Sequence, residues 1–562
     1  MTAVLILLLA VVVSGGIGRF LPQLPQPLIQ VALGALLGWA SGVSIALNPD
    51  LFLLLFIPPL LFLDAFRFPA AELRRLGGII LTLAIGLVVF TVVGAGYAIH
   101  WLLPGMSLAP AFALAAVLSP TDAVAVAGMT GRARLPKRLK HILEGEALLN
   151  DASGLVCLHF AVQAAMTGGF SAGAATLAFL WMAIGGILVG VVVVAAVRLI
   201  QGWLIRARGD TPGTTILAML LVPFAAYLAA EHLAMSGILA AVAAGMTLNL
   251  LPLEEAGQVA TRLQGTAVGD MVQFTLNGVI FVLLGWQLPG ILVQAPAIAQ
   301  QAGKPHAILP PAAAEAMGGM LAGLGWLGFY VLVIAAVLMG LRLLWVWFWL
   351  ELRRAAARRR GRVRDVPRRR VVLVTAVAGV RGAVTLAGVL SLPEFLREGV
   401  PFPGRDVAIF LASGVILVSL VGASVGLPLL LRHLDMPEED AAVEEERTAE
   451  VALARAALRR LEQAHQAIAP GSAESDLYTE AALRLMEFYR RQVEDPDMPV
   501  DARAQSRRRL AIEAELRLSA VRAKRDELAR LHRVHAISDE TWRRVMHSLD
   551  MMEASLSRSR VL

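Results

Sequence analysis

Apolar stretches long enough to cross a bilayer recur along the chain from its first residues to about residue 434. A sliding window of about 19 residues separates them into roughly thirteen segments, so we predict about thirteen transmembrane helices. The shortest and least regular segments lie near Phe56 and Leu239. The predicted helices centre near Leu9, Leu33, Phe56, Leu87, Val117, Val156, Val191, Leu220, Leu239, Ile280, Val333, Ala383 and Leu417.

The pattern changes abruptly after Asp435. From Pro437 onward the chain is charged and rich in alanine, with the periodicity of amphipathic helices in stretches such as VALARAALRRLEQAHQAI. Turn-forming stretches at Pro470-Gly471 and EDPDMP divide this part into segments. We therefore predict a transmembrane domain over residues 1–434 and a cytoplasmic α-helical domain over residues 435–562, which could regulate the first.

Two predicted helices carry helix-weakening residues beside a charge at mid-depth. The fifth reads ALAAVLSPTDAVAVAGM, with Pro120 and Asp122 at its middle, and the twelfth reads VTAVAGVRGAVTLAGVLSLP, with Gly379 and Arg381 at its middle. If the halves are helices 1 to 6 and 8 to 13, both breaks occupy the same position, as in transporters built from inverted repeats. The predicted fold is an all-α polytopic membrane protein with two broken helices that cross.

Composition agrees with this fold and excludes other classes. The 562 residues are 57% hydrophobic and 17% charged, with a mean hydropathy of +0.68, which is too apolar for a soluble chain. The single cysteine, Cys157, excludes an internal disulfide framework. The N-terminal segment has no basic residue before its apolar run, so we interpret it as the first membrane helix and not as a cleaved signal.

The basic residues predict the topology and do not indicate a nucleic-acid partner. They concentrate in the loops Arg67 to Arg75, Arg132 to Lys140, Arg198 to Arg208 and Arg353 to Arg370, which all fall on one side of the predicted helices. Loops rich in lysine and arginine stay in the cytoplasm. We expect a plasma (inner) membrane protein with its N-terminus outside and its C-terminal domain inside.

Few ionisable residues lie within the predicted membrane helices: Asp64, Asp122, Glu146, Asp151 and Arg381. An ionised residue at a helix centre costs roughly 2.5 to 3.5 kcal/mol even on the mildest insertion scale, so each should be paired or line a water-filled path. We place Arg198 and Arg342 near helix ends, where long side chains reach the interface. Arg381 is then expected to neutralise one carboxylate permanently.

Asp151 is our candidate for the carboxylate that titrates. In the segment EGEALLNDASG the i, i+4 spacing places Glu146 and Asn150 on one helix face, with Asp151 one residue round from them. The broken helix at Thr121 and Asp122 would add a hydroxyl, a carboxylate and free carbonyl groups, which are the oxygen ligands that hard cations prefer. The sequence therefore predicts that Asp151 and Thr121 bind a monovalent cation.

Structural roles remain open for several of these residues. Thr121 could satisfy backbone groups that Pro120 leaves free. Asp122 could cap a half-helix, and Asp64 could be an interfacial acid close to the basic Arg67.

The segments LSPTDAVAV, EGEALLNDASGLV and AGVRGAVTLA, in this order and spacing, resemble the sodium/proton exchangers of the monovalent cation:proton antiporter-1 family. The resemblance covers about Met1 to Leu434. It implies a homodimer of thirteen-helix subunits, in which a core domain moves against a dimerisation domain. It also implies that Asp151 binds the cation and the proton, with oxygen ligands from Thr121 and Asp122 beside it, and that Glu146 pairs with Arg381.

The chain departs from this family pattern in two places. Ala147 stands where many relatives have a serine whose hydroxyl is a ligand, so the preference among cations stays open. The acid on the third helix is often one position away from Asp64. In contrast to relatives with two adjacent aspartates, which are electrogenic, the pair Asn150-Asp151 offers one titrating carboxylate and predicts electroneutral one-for-one exchange.

We therefore expect a transporter and not an enzyme, which exchanges Na+, or Li+ or K+, for protons by alternating access, needs no cofactor and serves pH homeostasis. A K+/H+ antiporter, or a channel on the same helices, is the alternative. An intramembrane aspartyl protease using Asp122 and Asp151 should have a Gly-x-Gly-Asp segment, which is absent. A receptor or scaffold that acts through the C-terminal domain would leave the buried charges unexplained.

Overall fold

The computed structural model describes residues 2–41, 49–129, 135–169, 172–208, 211–251, 259–302, 319–359, 369–397, 400–432, 438–466, 475–492, 500–534 and 536–558. Parts of two predicted basic loops, residues 132–134 and 360–368, lie outside the described residues. The chain divides into two compact units, residues 1–436 and residues 437–562.

The first unit is almost entirely helical within its described residues. Its helices are α1 (Thr2–Phe20), α2 (Gln26–Ser41), α3 (Pro49–Arg67), α4 (Ala70–Leu102), α5 (Leu108–Leu118), α6 (Ala123–Met129), α7 (Lys137–Thr167), α8 (Ala172–Arg208), α9 (Pro212–His232), α10 (Gly237–Leu250), α11 (Val259–Ala302), α12 (Gly319–Arg359), α13 (Arg369–Val377), α14 (Ala383–Leu390) and α15 (Arg405–Leu431). The short strands β1 (Phe395–Arg397) and β2 (Val400–Pro401) pair antiparallel between α14 and α15.

These helices confirm the predicted fold class. When α5 with α6 and α13 with α14 are each taken as one broken span, every predicted segment coincides with a described helical unit. Among the described residues, seven helices are by themselves long and apolar enough to cross a membrane, and the bent pair of α5 and α6 makes an eighth. The helix α10, near the predicted centre at Leu239, is apolar but only 14 residues long.

Close helix packing in the first unit depends on small residues. Helices α2 and α11 cross with Gly34 and Gly38 against the backbone of Val282 and Trp286, where an added Cβ on either glycine would overlap a carbonyl oxygen. Helices in a membrane gain little from the hydrophobic effect, so they associate where small residues let backbones approach. This crossing holds α11 beside α2 and brings polar residues of α11 towards the cavity described below.

The second unit consists of α16 (Glu438–Gln466), α17 (Ser475–Gln492), α18 (Val500–Arg533) and α19 (Asp539–Arg558). Helix α16 packs against α17, and α18 packs against α19. The contact between α18 and α19 has a small apolar core that includes Val521, Leu528 and Leu549. Arg525 forms ion pairs across this contact with Asp550 and Glu553. The helical character predicted after residue 435 is present in the described part of this unit.

Candidate ion-binding site

The two predicted helix breaks are present, and they contact each other. Helix α5 ends at Leu118 and α6 begins at Ala123 with a bend of 50°, while the second break separates Val377 from Ala383. The backbone N–H of Asp122 donates to the carbonyl oxygen of Val380 at 2.8 Å, which joins the two breaks directly. Asp122 and Val380 are 258 residues apart in sequence, so two distant features of the chain form one centre.

Asp122 lies at the N-terminal ends of two half-helices. Its Oδ1 accepts hydrogen bonds from the backbone N–H groups of Val124 at 2.8 Å and Ala125 at 3.0 Å, and its carboxylate also lies against Gly382, directly before the first residue of α14. A negative charge at a helix N-terminus satisfies free N–H groups and the positive end of the helix dipole. The close approach needs Gly382, because a Cβ there would overlap Asp122 Oδ2. Asp122 therefore caps α6 and α14.

Arg381 has the complementary role at the C-terminal ends. Its Nε donates to the carbonyl oxygen of Leu118, the last residue of α5, at 3.0 Å, and its Nη1 donates to the carbonyl oxygen of Gly379, just beyond α13. A positive charge is favourable where helix carbonyls lack partners. The guanidinium is buried, and its positive charge stabilises the C-terminal ends of α5 and α13.

The predicted ion pair between Glu146 and Arg381 is wrong, because Glu146 pairs with Arg342. Arg342 Nη2 donates to Glu146 Oε2 at 2.8 Å and Nη1 donates to Oε1, while Nε donates to the carbonyl oxygen of Thr375 at 2.9 Å. Both residues are almost completely buried, at 1% and 2% exposed. Since α12 extends from Gly319 to Arg359, Arg342 lies well inside the helix and does not reach the interface.

Thr121 and Asn150 lie beside this ion pair. Thr121 Oγ1 donates to Glu146 Oε1 at 3.2 Å and accepts from Asn150 Nδ2 at 2.9 Å. The direction of these two hydrogen bonds follows from the chemistry of the groups, because an ionised carboxylate only accepts and the hydroxyl has a single hydrogen to donate. Thr121 therefore keeps one free lone pair. Asn150 Oδ1 is buried and has no hydrogen-bond partner within the part of the chain that the structure describes.

A cavity of about 470 Å3 reaches this centre. Asp151 lines it and is 6% exposed, and its carboxylate has no hydrogen bond or ion pair among the described residues. The exposed side chains of Arg67 and Lys140 also line the cavity, so it reaches the surface at the end that carries them. Of the predicted site residues, the cavity brings together Asp64, Thr121, Asp122 and Asp151; the residues that do not line it are Glu146, Asn150 and Arg381.

The opposite wall of the cavity comes from α3 and α11. Asp64 accepts a hydrogen bond from Gln273 Nε2 at 2.5 Å, and Gln273 Oε1 accepts one from Arg67 Nη1. Arg67 also pairs with Asp270 at 2.6 Å. The guanidinium only donates, so it holds the Gln273 amide with its NH2 group towards Asp64. Arg67 thus acts on Asp64 through Gln273, and the two residues form no direct ion pair in the described structure.

Sequence reasoning missed four polar residues at this centre: Arg342, Gln273, Asn277 and Thr385. A signal existed for each. Arg342 is a lone charge in the apolar stretch LMGLRLLW, and Gln273 and Asn277 are spaced i, i+4 in another apolar stretch, which places them on one helix face. Thr385 follows Arg381 by one helical turn in the second broken helix.

The charges at this centre are unequally compensated. Arg342 neutralises Glu146, and the N-terminal ends of α6 and α14 stabilise Asp122. Asp151 faces the cavity without a direct partner among the described residues, and Asp64 faces it with one neutral amide. A buried carboxylate that lacks a partner favours binding of a proton or a cation. Chemically, the arrangement offers one place where either can bind.

Comparison with known proteins identifies the family of this chain. Residues 4–433 match the family described as sodium/hydrogen exchanger, transmembrane. The chain is 42% identical over 560 residues to an uncharacterized Na+/H+ exchanger, YjcE, of Escherichia coli (strain K12), and the match covers 98% of both proteins. It is 44% identical over 436 residues to the sodium, potassium, lithium and rubidium/H+ antiporter of Bacillus pumilus (strain SAFR-032), covering 77% of this chain and 61% of that protein.

The fold is also similar to a solved structure. The sodium proton antiporter MjNhaP1 from Methanocaldococcus jannaschii superposes with a TM-score of 0.54 at 19% identity, covering 77% of this chain and 98% of that one. At this low identity the likeness concerns the fold alone. The family match extends over the whole membrane unit and so includes both broken helices and the cavity. The chain belongs to the sodium/hydrogen exchanger family of transmembrane proteins, which are transporters and not enzymes.

Proposed function

We propose that this chain exchanges a monovalent cation, Na+ first, for a proton across the plasma (inner) membrane, and that Asp151 carries each ion in turn. The observation that carries the proposal is the contrast among the buried carboxylates. Glu146 is held by Arg342 and Asp122 by helix N-termini, whereas Asp151 faces the cavity without a partner among the described residues. A proton or a cation bound to Asp151 neutralises the charge of its carboxylate.

The cation shell draws on the oxygens nearest this carboxylate. Thr121 contributes the free lone pair of its hydroxyl, and Asp122 contributes a carboxylate oxygen that lines the same cavity. Asn150 holds Thr121 in place through its amide. Alkali cations are hard and bind carboxylate, hydroxyl and carbonyl oxygens, which is the donor set present here.

One titrating carboxylate implies electroneutral exchange. The residue before Asp151 is the neutral Asn150, so one proton leaves when one cation binds, and no net charge crosses the membrane in a cycle. The broken helices move together as one body, since hydrogen bonds join them at Asp122 to Val380 and at Arg381 to Leu118. Their movement against the wall of α3 and α11 opens Asp151 to either side in turn.

The basic residues at the cavity mouth support the orientation. Arg67 and Lys140 belong to the loops expected in the cytoplasm, so the cavity opens to the cytoplasm, with the N-terminus outside and the C-terminal unit inside. The functional assembly is a homodimer, and its exchange contributes to pH homeostasis. Asp64, on α3, lines the same cavity and is a further candidate ligand of the cation.

The proposal also covers the range of cations that the chain transports. The Bacillus pumilus relative is named for sodium, potassium, lithium and rubidium, which favours K+ and Li+ as further substrates of this chain. The alternative of a K+/H+ antiporter uses the same residues. Membership of a transporter family leaves no support for the protease or the receptor interpretation.

The test is transport in liposomes that contain the purified full-length chain and a pH-sensitive dye. Addition of Na+, Li+ or K+ should move protons in the wild type, and Asp151→Asn should abolish this movement because a neutral amide cannot exchange a proton for a cation. The control is Glu480→Gln, which changes an exposed carboxylate of the second unit and should retain transport. Proton movement that persists in Asp151→Asn would refute the assignment.

A further inference from the structure

Thr385 lines the cation cavity, and its buried hydroxyl has no hydrogen-bond partner among the described residues. Thr385 is 1% exposed, and its Oγ1 makes no hydrogen bond to any residue that the structure describes. The same residue lines the cavity together with Asp151, Thr121 and Asp122. Buried hydroxyl groups almost always have a partner, so one without a partner in a polar cavity indicates a ligand.

The position of Thr385 at the start of α14 explains why its hydroxyl does not donate to a carbonyl oxygen of its own helix. Hydroxyls inside helices usually bond back to the carbonyl oxygen four residues earlier, as Thr375 does to Val371 at 2.7 Å and Ser153 does to Leu149 at 3.1 Å. For Thr385 that residue is Arg381, which precedes the first helical residue, Ala383. The break in the helix therefore leaves this hydroxyl free.

The other side chains at the cavity leave a place for a hydroxyl ligand. Ala147 lines the cavity and has no oxygen in its side chain. Thr121 Oγ1 donates its hydrogen to Glu146 and accepts a hydrogen bond from Asn150, so one of its lone pairs remains available. Thr385 has both of its lone pairs available to a cation.

We propose that Thr385 Oγ1 is an oxygen ligand of the transported monovalent cation and that it sets the preference of this chain among Na+, Li+ and K+. The inference rests on the proposed function, because it assumes that Asp151 binds a cation in this cavity. The hydroxyl is neutral and carries no proton in the cycle. Thr385 therefore changes the affinity and the order of cations. The cation and the proton compete for Asp151, so the dependence of transport on pH stays unchanged when each variant is measured at the same multiple of its KM.

The test compares three variants of the full-length chain in liposomes that contain the pH-sensitive dye. Thr385→Val removes the hydroxyl and keeps the shape, Thr385→Ser keeps the hydroxyl, and Ser413→Ala is the matched control. Ser413 is also 1% exposed with an Oγ that lacks a partner among the described residues, but it does not line the cavity. The apparent KM for Na+, Li+ and K+ is measured for each, together with the pH of half-maximal activity.

Thr385→Val should raise the apparent KM for Na+ about tenfold, since loss of one oxygen ligand to a charge is equivalent to about 1.4 kcal/mol. The KM for K+ should rise less, because the larger ion binds each oxygen more weakly. Thr385→Ser and Ser413→Ala should keep the wild-type values. An unchanged KM in Thr385→Val would overturn the inference, and so would an equal change for all three cations or a failure of Thr385→Ser to restore binding.

The same experiment separates this inference from the proposed function. If the wild type moves no protons with any cation, the proposed function fails. If the wild type transports and Thr385→Val matches it in KM and in cation order, Asp151 can still be the exchange site and only the role of Thr385 is refuted.

Discussion

Helix α7 carries two buried carboxylates, and they lie in opposite surroundings. Glu146 faces a closed region, where Arg342 and Thr121 bond its oxygens. Asp151, little more than one helical turn further on, faces a cavity and has no direct partner among the described residues. We infer from this difference that the carboxylate with bonding partners is structural and that the one without described partners is the one available to exchange ions.

The same contrast separates the two broken helices. Asp122 and Arg381 are the most conspicuous charges at the breaks, yet the first caps N-terminal ends and the second caps C-terminal ends. Opposite charges at opposite helix ends stabilise both half-helices without forming an ion pair with each other. The breaks are therefore held by charge, and the carboxylate that we propose to exchange ions lies on the intact helix α7.

The largest expected effect comes from neutralising one carboxylate at a time. Glu146→Gln should destabilise the protein by about 3 to 5 kcal/mol, because it leaves the buried Arg342 without a counter-ion. Asp151→Asn should change stability by less than about 1 kcal/mol, since no described partner is lost. Thermal unfolding of the two purified variants measures both. Equal losses in melting temperature would remove the distinction between the two carboxylates.

The capping centre gives the next largest effect. Gly382→Ala should destabilise the protein by about 1 to 3 kcal/mol, because the added Cβ overlaps Asp122 and pushes the carboxylate away from the half-helix ends. Gly422→Ala is the control, since a Cβ at that position in α15 meets no atom within 4 Å. A melting temperature of Gly382→Ala equal to that of the wild type would show that the close approach of the two breaks is not required.

The voltage dependence of exchange tests whether Asp151 is the one titrating carboxylate, with the neutral Asn150 beside it. A net charge that crosses the membrane gains about 2.3 kcal/mol per 100 mV, so electrogenic exchange responds strongly to voltage. With one titrating carboxylate, the exchange rate should be the same at zero potential and at an imposed potential. The measurement uses liposomes in which a gradient of the permeant anion thiocyanate sets the potential, with Na+ as the transported cation and no K+ gradient. A strong dependence on the potential would require a second titrating group, for which Asp64 is the first candidate.

The smallest effect is expected where an ion pair is exposed. Arg484 and Glu480 pair on the surface of α17, with side chains 78% and 65% exposed. Glu480→Gln should change stability by less than about 0.5 kcal/mol, because water solvates both charges after the pair is lost. The measurement is thermal unfolding of the full-length chain, next to Glu146→Gln. A loss in Glu480→Gln as large as that in Glu146→Gln would contradict the role assigned to desolvation.

Much of the site could be predicted from the sequence, and the errors have one origin. The segment around Asp151 and the two breaks are readable because a charge or a proline within an apolar stretch is a local signal. The partner of Glu146 is not local, since Arg342 is 196 residues away in the chain. The predicted helix end lies too near Arg342, which is well inside α12. Arg381 donates to Leu118 and Gly379, while Glu146 is bonded by Arg342.

By itself, the sequence determined the class of the protein, the order of its membrane helices, the position of both breaks and the separate character of the C-terminal unit. These properties depend on hydrophobicity and backbone chemistry over short windows. Only the tertiary structure decided which charges are paired, that Asp122 and Arg381 cap helix ends, and that Thr385 lines the cavity with a hydroxyl that no described residue binds. Those properties depend on which helices meet at the centre, and that choice is made by packing over the whole membrane unit.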